Sequence, residues 1–332
     1  MAIDWRPLIE MIRQRNRFII TTHLRADCDA IGSEIALARI LESLGKTVAI
    51  VNGDEVPEHI AFMDPDNRVG VLGSTVSMEA LRAFDVMVVV DTSAWMQLGR
   101  MAEVLRSFPG VRVVIDHHVS EDDMQALVFK DDRAEATGRL ILQVAEALGV
   151  HVTPAIAEPL FAALATDTGW FRFSSVTADT FTALAKLTAA GASPMKTFAQ
   201  LFEQHSLGRL HLRGRILDHV KPECGDRLLW TYATAEDFRE CGAQRTDTED
   251  VINMLLTVKG VEAAVLFVEL ESEVTKVSLR SRSDLDVNRV AAIFGGGGHR
   301  QAAGVSYPGP RLEAQQAILD AMRIAMEDCP GK

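Results

Sequence analysis

The sequence predicts an α/β protein of two domains, on three observations. Apolar β-branched runs alternate with helical patterns through the first half. The chain has 332 residues, a length that fits roughly two domains. A second series of strand and helix patterns begins after a helical stretch near residues 190–225.

The first-half strands are expected at "RFIITT", "KTVAIV", "DVMVVVD" and "VRVVIDHH". Helices are expected at Ala30–Leu44 and Thr137–Leu148. The run "VMVVV" is apolar throughout and "VRVVI" is apolar but for Arg112, which suits strands of a mostly parallel sheet covered by helices on both faces. From about Thr153 to Gly191 the pattern is helical, with "TDTGWF" inside it. The stretch "ASPMKTFAQLFEQHSLGRLHLRGRILDHVKPECGD" reads as linking helices. Asp226–Arg227 open new strand material, "LLWTYAT", followed by a hairpin of "AAVLFVEL" and "VTKVSLRS". The helix "LDVNRVAAIF" leads into "GGGGH", and a last amphipathic helix covers roughly Leu312–Met326. The expected division is residues 1–190 for a catalytic domain, 191–224 for a helical linker and 225–332 for a smaller α/β domain with a mixed sheet.

Hydrophobic residues at 48% and charged residues at 24% are ordinary for globular chains. No apolar run approaches the roughly 18 residues of a membrane span, and charges interrupt the N-terminus where a signal peptide would be apolar, so a cytoplasmic location is expected. Cys28, Cys224, Cys241 and Cys329 include no Cys-x-x-Cys pair, and free thiols are expected. A net charge of −12 argues against long duplex nucleic acid. It leaves room for a short anionic substrate in a local positive pocket.

Four pieces carry the chemistry. "TTHLRADCDAIGSE" places His23, Asp27 and Asp29 after the first strand. Asp91 ends the third strand, "DHH" (Asp116, His117, His118) ends the fourth, and Asp167 sits in "TDTG". Each has an ordinary explanation alone: Asp29 as a helix N-cap, Asp91 as a loop residue, the histidines as surface or core groups. Their conjunction is what matters, because ligands of parallel α/β sheets bind outside the carboxyl ends of the strands. Clustered carboxylates need a proton or a cation. Carboxylate with imidazole suits manganese, and also iron, cobalt or zinc, whereas magnesium prefers oxygen alone. The donors outnumber the needs of one ion, so two ions sharing a carboxylate are expected.

The other chemical piece is "FGGGGHRQAAG" with Gly296, Gly297, Gly298 and His299. Consecutive glycines can expose backbone N–H groups to a phosphate, or simply make a tight turn. Arg280 and Arg282 in "SLRSR" favour phosphate, and strand alternation would point both one way and Ser281 the other.

Taken in order, "HLRADCDAIGS", Asp91, "DHH", "TDTG" and "GGGGHRQAAG" resemble the DHH phosphoesterases that carry a C-terminal DHH-associated domain. Size and domain order are similar to the NrnA-type oligoribonucleases, which also act as phosphatases on 3′-phosphoadenosine 5′-phosphate (pAp). The resemblance implies that His23, Asp27 and Asp91 hold one ion, and that Asp29, Asp91, His117 and Asp167 hold the other. Manganese is the expected metal, with magnesium and cobalt as alternatives. Asp116 would orient a ligand histidine, His118 would face the substrate phosphate, and Asp91 would bridge the ions. Arg280, Ser281, Arg282 and the Gly296–His299 loop would bind the far end of the substrate across an interdomain cleft. The family often has proline where Ala26 stands here.

The implied activity is hydrolysis of short oligoribonucleotides to mononucleotides, and of pAp to AMP, by a metal-activated water. Expected partners are short single-stranded RNA and nucleoside bisphosphates, with no membrane; a homodimer is left open. Two alternatives stand beside it. One is hydrolysis of cyclic di-AMP or pApA on the same core. The other is a non-catalytic nucleotide-binding module, which would bind substrate tightly without releasing phosphate.

Overall fold

The computed structural model describes residues 3–269 and 274–327, and the chain divides into two compact units, residues 1–204 and 205–332. The first unit opens with α1 (Arg6–Gln14), β1 (Arg17–Thr21), α2 (Cys28–Ser43), β2 (Thr47–Asn52) and β3 (Val69–Val71). It continues with α3 (Met78–Leu81), β4 (Val86–Val90), α4 (Met101–Ser107), β5 (Val111–Asp116) and β6 (Leu127–Lys130). Four helices close it: α5 (Thr137–Leu148), α6 (Pro154–Asp167), α7 (Ala178–Ala189) and α8 (Pro194–Phe202).

The six strands form one sheet in the order β3-β2-β1-β4-β5-β6, and every neighbouring pair is parallel. Alternate side chains of the central strands enter two separate cores. Phe18, Ile20, Val86, Val88, Val113 and Ile115 pack with α2, α5 and α6. Ile19, Met87, Val89 and Val114 pack on the opposite face, around Leu98 and Leu105. This is why these strands read as unbroken apolar runs. The short β3 and β6 escape such a reading: β6 is largely exposed, and neither carries more than three apolar residues.

The second unit contains α9 (Leu207–Asp218), β7 (Lys221–Glu223), β8 (Leu228–Ala233), α10 (Ala235–Cys241), α11 (Val251–Leu255) and β9 (Ala263–Glu269). Then come β10 (Val274–Ser281), α12 (Val287–Ile293), β11 (Gly297–His299), β12 (Ala302–Pro308) and α13 (Arg311–Glu327). Its sheet runs β11-β12-β10-β9-β8-β7 and is mixed, with β8 and β9 parallel and the other pairs antiparallel. The residues joining β9 to β10, 270–273, lie outside the described residues, as does Cys329. Cys28 and Cys241 are free thiols, and burial pushes the Cys28 thiol up to about 12. Among the described residues no helix is long and apolar enough to cross a membrane.

Candidate metal centre

The elements deliver the donors to the carboxyl rim of the parallel sheet. His23 follows β1, Asp91 ends β4, His117 and His118 follow β5, and Asp167 ends α6. Asp27 is the N-cap of α2, its Oδ1 accepting from the N–H groups of Asp29 at 3.0 Å and Ala30 at 3.1 Å. The helix therefore begins at Cys28 and is capped by Asp27, not by Asp29. Asp29 is buried and does something else: its carboxylate accepts from the N–H of Thr137 at 2.6 Å and of Gly138 at 2.8 Å. Those are the first N–H groups of α5, whose own N-cap position, Ala136, has no side chain to offer. The opening motif thus ties two helix starts together, and Asp29 sits where two helix dipoles favour negative charge.

Asp91 lies at the middle of the cluster. One of its oxygens is 3.4 Å from His23 Nε2, and the other is 3.6 Å from His117 Nε2. Thr137 Oγ1 donates to it at 2.8 Å. Asp91 holds a left-handed backbone, φ 63°, which aspartate tolerates better than most residues. His117 Nε2 is also 3.4 Å from Asp167 and 3.8 Å from Asp29. Ligating atoms gather in three overlapping groups: His23, Asp27 and Asp91; Asp29, His117 and Asp167; and Asp91, His117 and His118.

The three imidazoles are oriented alike. His23 Nδ1 meets the Leu24 carbonyl at 2.9 Å, and His117 Nδ1 meets the Ala134 carbonyl at 3.1 Å. A carbonyl only accepts, so Nδ1 carries the proton and Nε2 is left as the donor to a cation. His118 Nδ1 donates to Asp116 at 2.8 Å. Asp116 therefore orients His118 and not His117, whose orientation comes from a backbone carbonyl.

Burial and the neighbouring carboxylate of Asp91 hold the Asp29 carboxyl well above the usual carboxylate range. Burial lifts Asp167 to about 6, partly offset by His117. Burial opposes charge on His23, yet its hydrogen bond to Asp91 carries it up to about 9. Carboxylates that resist ionising together, beside imidazoles that offer Nε2, are what a divalent cation relieves. The donor set therefore fits divalent metal.

Several supporting residues carry no sequence signal because their contacts span the fold. Ser93 donates to Asp116 at 2.6 Å, and Lys130 Nζ reaches Ser93 at 2.8 Å and Asp116 at 3.5 Å. Asn52 donates to the buried Glu34 at 2.9 Å and accepts from the N–H of Thr22, next to His23. Burial raises Glu34 to about 8, so it is neutral at pH 7. Glutamine copies that neutral form, which makes Glu34→Gln a clean test. Native Glu34 keeps its proton between about 4.5 and 8, where the unfolded chain has lost it, so stability falls as pH rises through that window. In chelator, denaturant unfolding of Glu34→Gln should lack this part of the fall, gaining on the native chain between pH 5 and 8. An unchanged difference across that range would refute the neutral buried acid.

In the second unit, Arg280 is half-buried at the end of β10. Ser281 is buried, and its hydroxyl is engaged with Ser283 at 3.1 Å. Arg282 lies past the strand and donates to the Leu256 carbonyl at 2.5 Å, so it does not continue the Arg280 face. Lys276 and Ser278 do, because alternate β10 residues share a face while Val277 and Leu279 enter the core. Across the ladder they stand opposite Ser306 and Gly304, and Arg280 stands opposite Ala302, itself paired to His299. The glycine segment is not an open loop. Gly295 and Gly296 donate back to the carbonyls of Ala292 and Ala291, and Gly297–His299 form the edge strand β11. Gly298 has φ 149°, and a Cβ there would sit 2.4 Å from the Ala302 carbonyl oxygen, so only glycine fits.

Fold and donor set define an α/β protein with a carboxylate–imidazole cluster on the rim of a parallel sheet, followed by a mixed-sheet unit. The model of the DHH family, N-terminal domain, matches residues 17–164, and that of the DHHA1 domain matches residues 231–328. The chain belongs to the DHH family, with a DHHA1 domain in its C-terminal part. It is 30% identical, over 92% of its length and 88% of the relative's, to a bifunctional oligoribonuclease and PAP phosphatase NrnA of Thermus thermophilus. A protein of the same description from Bacillus subtilis is 26% identical over 90% of this chain and 92% of that one. The fold is shared with an exopolyphosphatase-related protein from Bacteroides fragilis: TM-score 0.83, 24% identity, 97% of each chain covered.

Proposed function

We propose that this protein is a metal-dependent phosphoesterase that hydrolyses short oligoribonucleotides to mononucleotides and pAp to AMP. The observation that carries the reading is Asp91 set between the His23 and His117 imidazoles, at 3.4 and 3.6 Å, in a chain of this family. The relatives named as acting on oligoribonucleotides and on PAP support the substrate class.

His23, Asp27 and Asp91 would hold one divalent ion, and Asp29, Asp91, His117 and Asp167 a second; manganese suits their mixed oxygen and nitrogen donors. Bound there, the ions would supply Lewis acidity and a water of lowered pKa. The chain's own part is positioning. The bond to Asp116 raises the pKa of His118, leaving its Nε2–H to donate to a phosphoryl oxygen as charge builds. Lys130 Nζ stands 3.5 Å from the other oxygen of Asp116, and the bonds from His118 and Ser93 hold that carboxyl below the usual carboxylate range against its burial. Arg280 and Lys276 give the second unit a cationic sheet face, beside which His299 stands, and Arg280 presents a planar fork to phosphate.

Purified protein with manganese should release phosphate from pAp and mononucleotides from RNA two-mers to five-mers. Arg280→Ala should raise KM for RNA dimers by about tenfold or more with little change in kcat, since it removes binding remote from the reacting phosphorus. Turnover of pyrophosphate alone, or of cyclic di-AMP in preference to both, would overturn the assignment. Tight binding of pAp without turnover would make the chain a nucleotide-binding module.

A further inference from the structure

Three neighbouring parallel strands, β4, β5 and β6, end on the same rim of the first sheet. Each brings one polar group to the Asp116–His118 pair. Ser93 lies three residues past the end of β4, Asp116 is the last residue of β5, and Lys130 is the last residue of β6. In the register of the sheet Asp116 stands opposite Lys130. Asp116 and Ser93 are buried, and the Lys130 side chain is only 13% exposed. An ammonium so far out of water is costly unless it is well paired. None of the three residues is among the proposed metal ligands.

The contacts of these groups determine where each hydrogen points. Lys130 Nζ can only donate, and it stands 2.8 Å from Ser93 Oγ and 2.7 Å from the Ser120 carbonyl oxygen. The Ser93 hydroxyl therefore accepts from Lys130 and has one hydrogen to give. It lies 2.6 Å from Asp116 Oδ2 and 2.8 Å from the same Ser120 carbonyl. That carbonyl already receives a hydrogen from Lys130, so the Ser93 hydrogen goes to the carboxylate, the closer and charged acceptor. The other carboxylate oxygen, Oδ1, receives the His118 backbone N–H at 3.1 Å and the His118 Nδ1–H at 2.8 Å. The Ser93 carbonyl also accepts from the Asp122 N–H at 2.8 Å, so the loop that carries His118 away from β5 is pinned beyond it as well. Glu121, 3.6 Å from Lys130 and half exposed, adds little. Without Lys130 the arrangement has two solutions. The Ser120 carbonyl loses a donor, and the Ser93 hydrogen can turn to it. Asp116 Oδ2 is then buried with no donor, a costly state that rotation of the carboxylate relieves. His118 moves with it, because both of its bonds go to Oδ1.

We propose that Lys130 and Ser93 are positioning residues of the phosphoester reaction: together they fix the Asp116 carboxylate in the one orientation that aims His118 at the substrate phosphate. The proposal rests on the role given to His118 above and extends that site to the ends of β4 and β6.

Lys130→Met keeps an unbranched stem and removes the donors. With manganese and pAp its kcat should fall about tenfold or more, since a small misplacement of a reacting group is costly. KM should stay within about twofold of native, and the manganese-induced rise in Tm should match that of the native chain. Ser93→Ala should behave alike, and it takes over if Lys130→Met fails to fold. Coupling separates positioning from general damage. His118→Ala should itself lower kcat by about 10²-fold or more. Adding Lys130→Met to it should change kcat by less than about twofold, whereas independent damage would multiply. Proton NMR of the metal-free chain reads the same device without turnover. The His118 Nδ1 hydrogen, held against buried Asp116, should give a downfield resonance that disappears in His118→Ala and is lost or shifted in Lys130→Met. Native kcat in Lys130→Met, an equal fold-loss with and without His118, or an unmoved resonance would overturn the proposal. Native kcat in His118→Ala would overturn it together with the role of His118. A native chain without turnover would sink the proposed function instead, and the resonance would still decide whether Lys130 positions His118.

Discussion

Asp91→Asn is expected to lower manganese-dependent turnover of pAp by roughly 10³-fold or more, while leaving the metal-free protein folded. The two halves of that expectation have separate causes. Asparagine tolerates the left-handed backbone that Asp91 holds at φ 63°, and its carbonyl oxygen can still accept from Thr137 Oγ1. The local structure therefore survives. What is lost is the one carboxylate, among the described residues, that faces both His23 and His117. The amide puts a donor where an anionic acceptor stood, and it cannot serve two cations. The readout that separates this from general damage is metal-induced stabilisation. A ligand at about 100 times its Kd raises native stability by about 2.7 kcal/mol. Manganese should raise the Tm of the native chain by several degrees and that of Asp91→Asn by much less. Native turnover in the variant would refute a bridging carboxylate. Lost turnover with an unaltered manganese response would move the role of Asp91 from metal to substrate.

The parts of this site that were legible in the sequence share one property: they are anchored to strand ends that announce themselves. Burial on both faces makes the middles of β1, β4 and β5 almost wholly apolar, so the polar residues that follow each run stand out, as His23, Asp91 and Asp116 do. The helix α2 was legible for the same reason, although its first residue lies two positions earlier than periodicity suggests, because Asp27 caps it. What could not be read is whatever depends on register between distant segments. Asp29 meets the start of α5 at Thr137, and Lys130 meets Asp116 from a short, largely exposed strand. Ser281 and Arg282 show the converse. Alternation alone placed them, but the strand ends at Ser281, and Arg282 turns to the end of α11 instead.

Gly32→Ala is expected to destabilise the first unit and to lower turnover with it, against the usual rule for a helix interior. Replacing glycine by alanine in a helix ordinarily gains about 0.5–1 kcal/mol. Here a Cβ would stand 2.4 Å from the Pro159 carbonyl oxygen, with Ala163 Cβ and Met63 Cε both at 3.2 Å. The oxygen belongs to the backbone of α6 and cannot rotate away, so the two helices must part. Overpacking of that kind costs about 1–3 kcal/mol, and the upper part of the range applies when no flexible side chain can yield. The net loss is then about 2 kcal/mol, or roughly 4–8 °C in Tm for a unit of this size. The functional consequence follows from what the helices carry: Asp29 is in the first turn of α2, and Asp167 is the last residue of α6. A misplacement near 1 Å can cost about 10²-fold in rate. Gly214→Ala supplies the contrast. Gly214 lies inside α9 with no atom within 4 Å of an added Cβ, so it should gain the propensity term undiminished and stabilise its unit. Thermal melts of the two variants should therefore move in opposite directions. A Gly32→Ala chain at least as stable as the native one would mean that α2 and α6 do not hold the ligand carboxylates in place by close backbone contact.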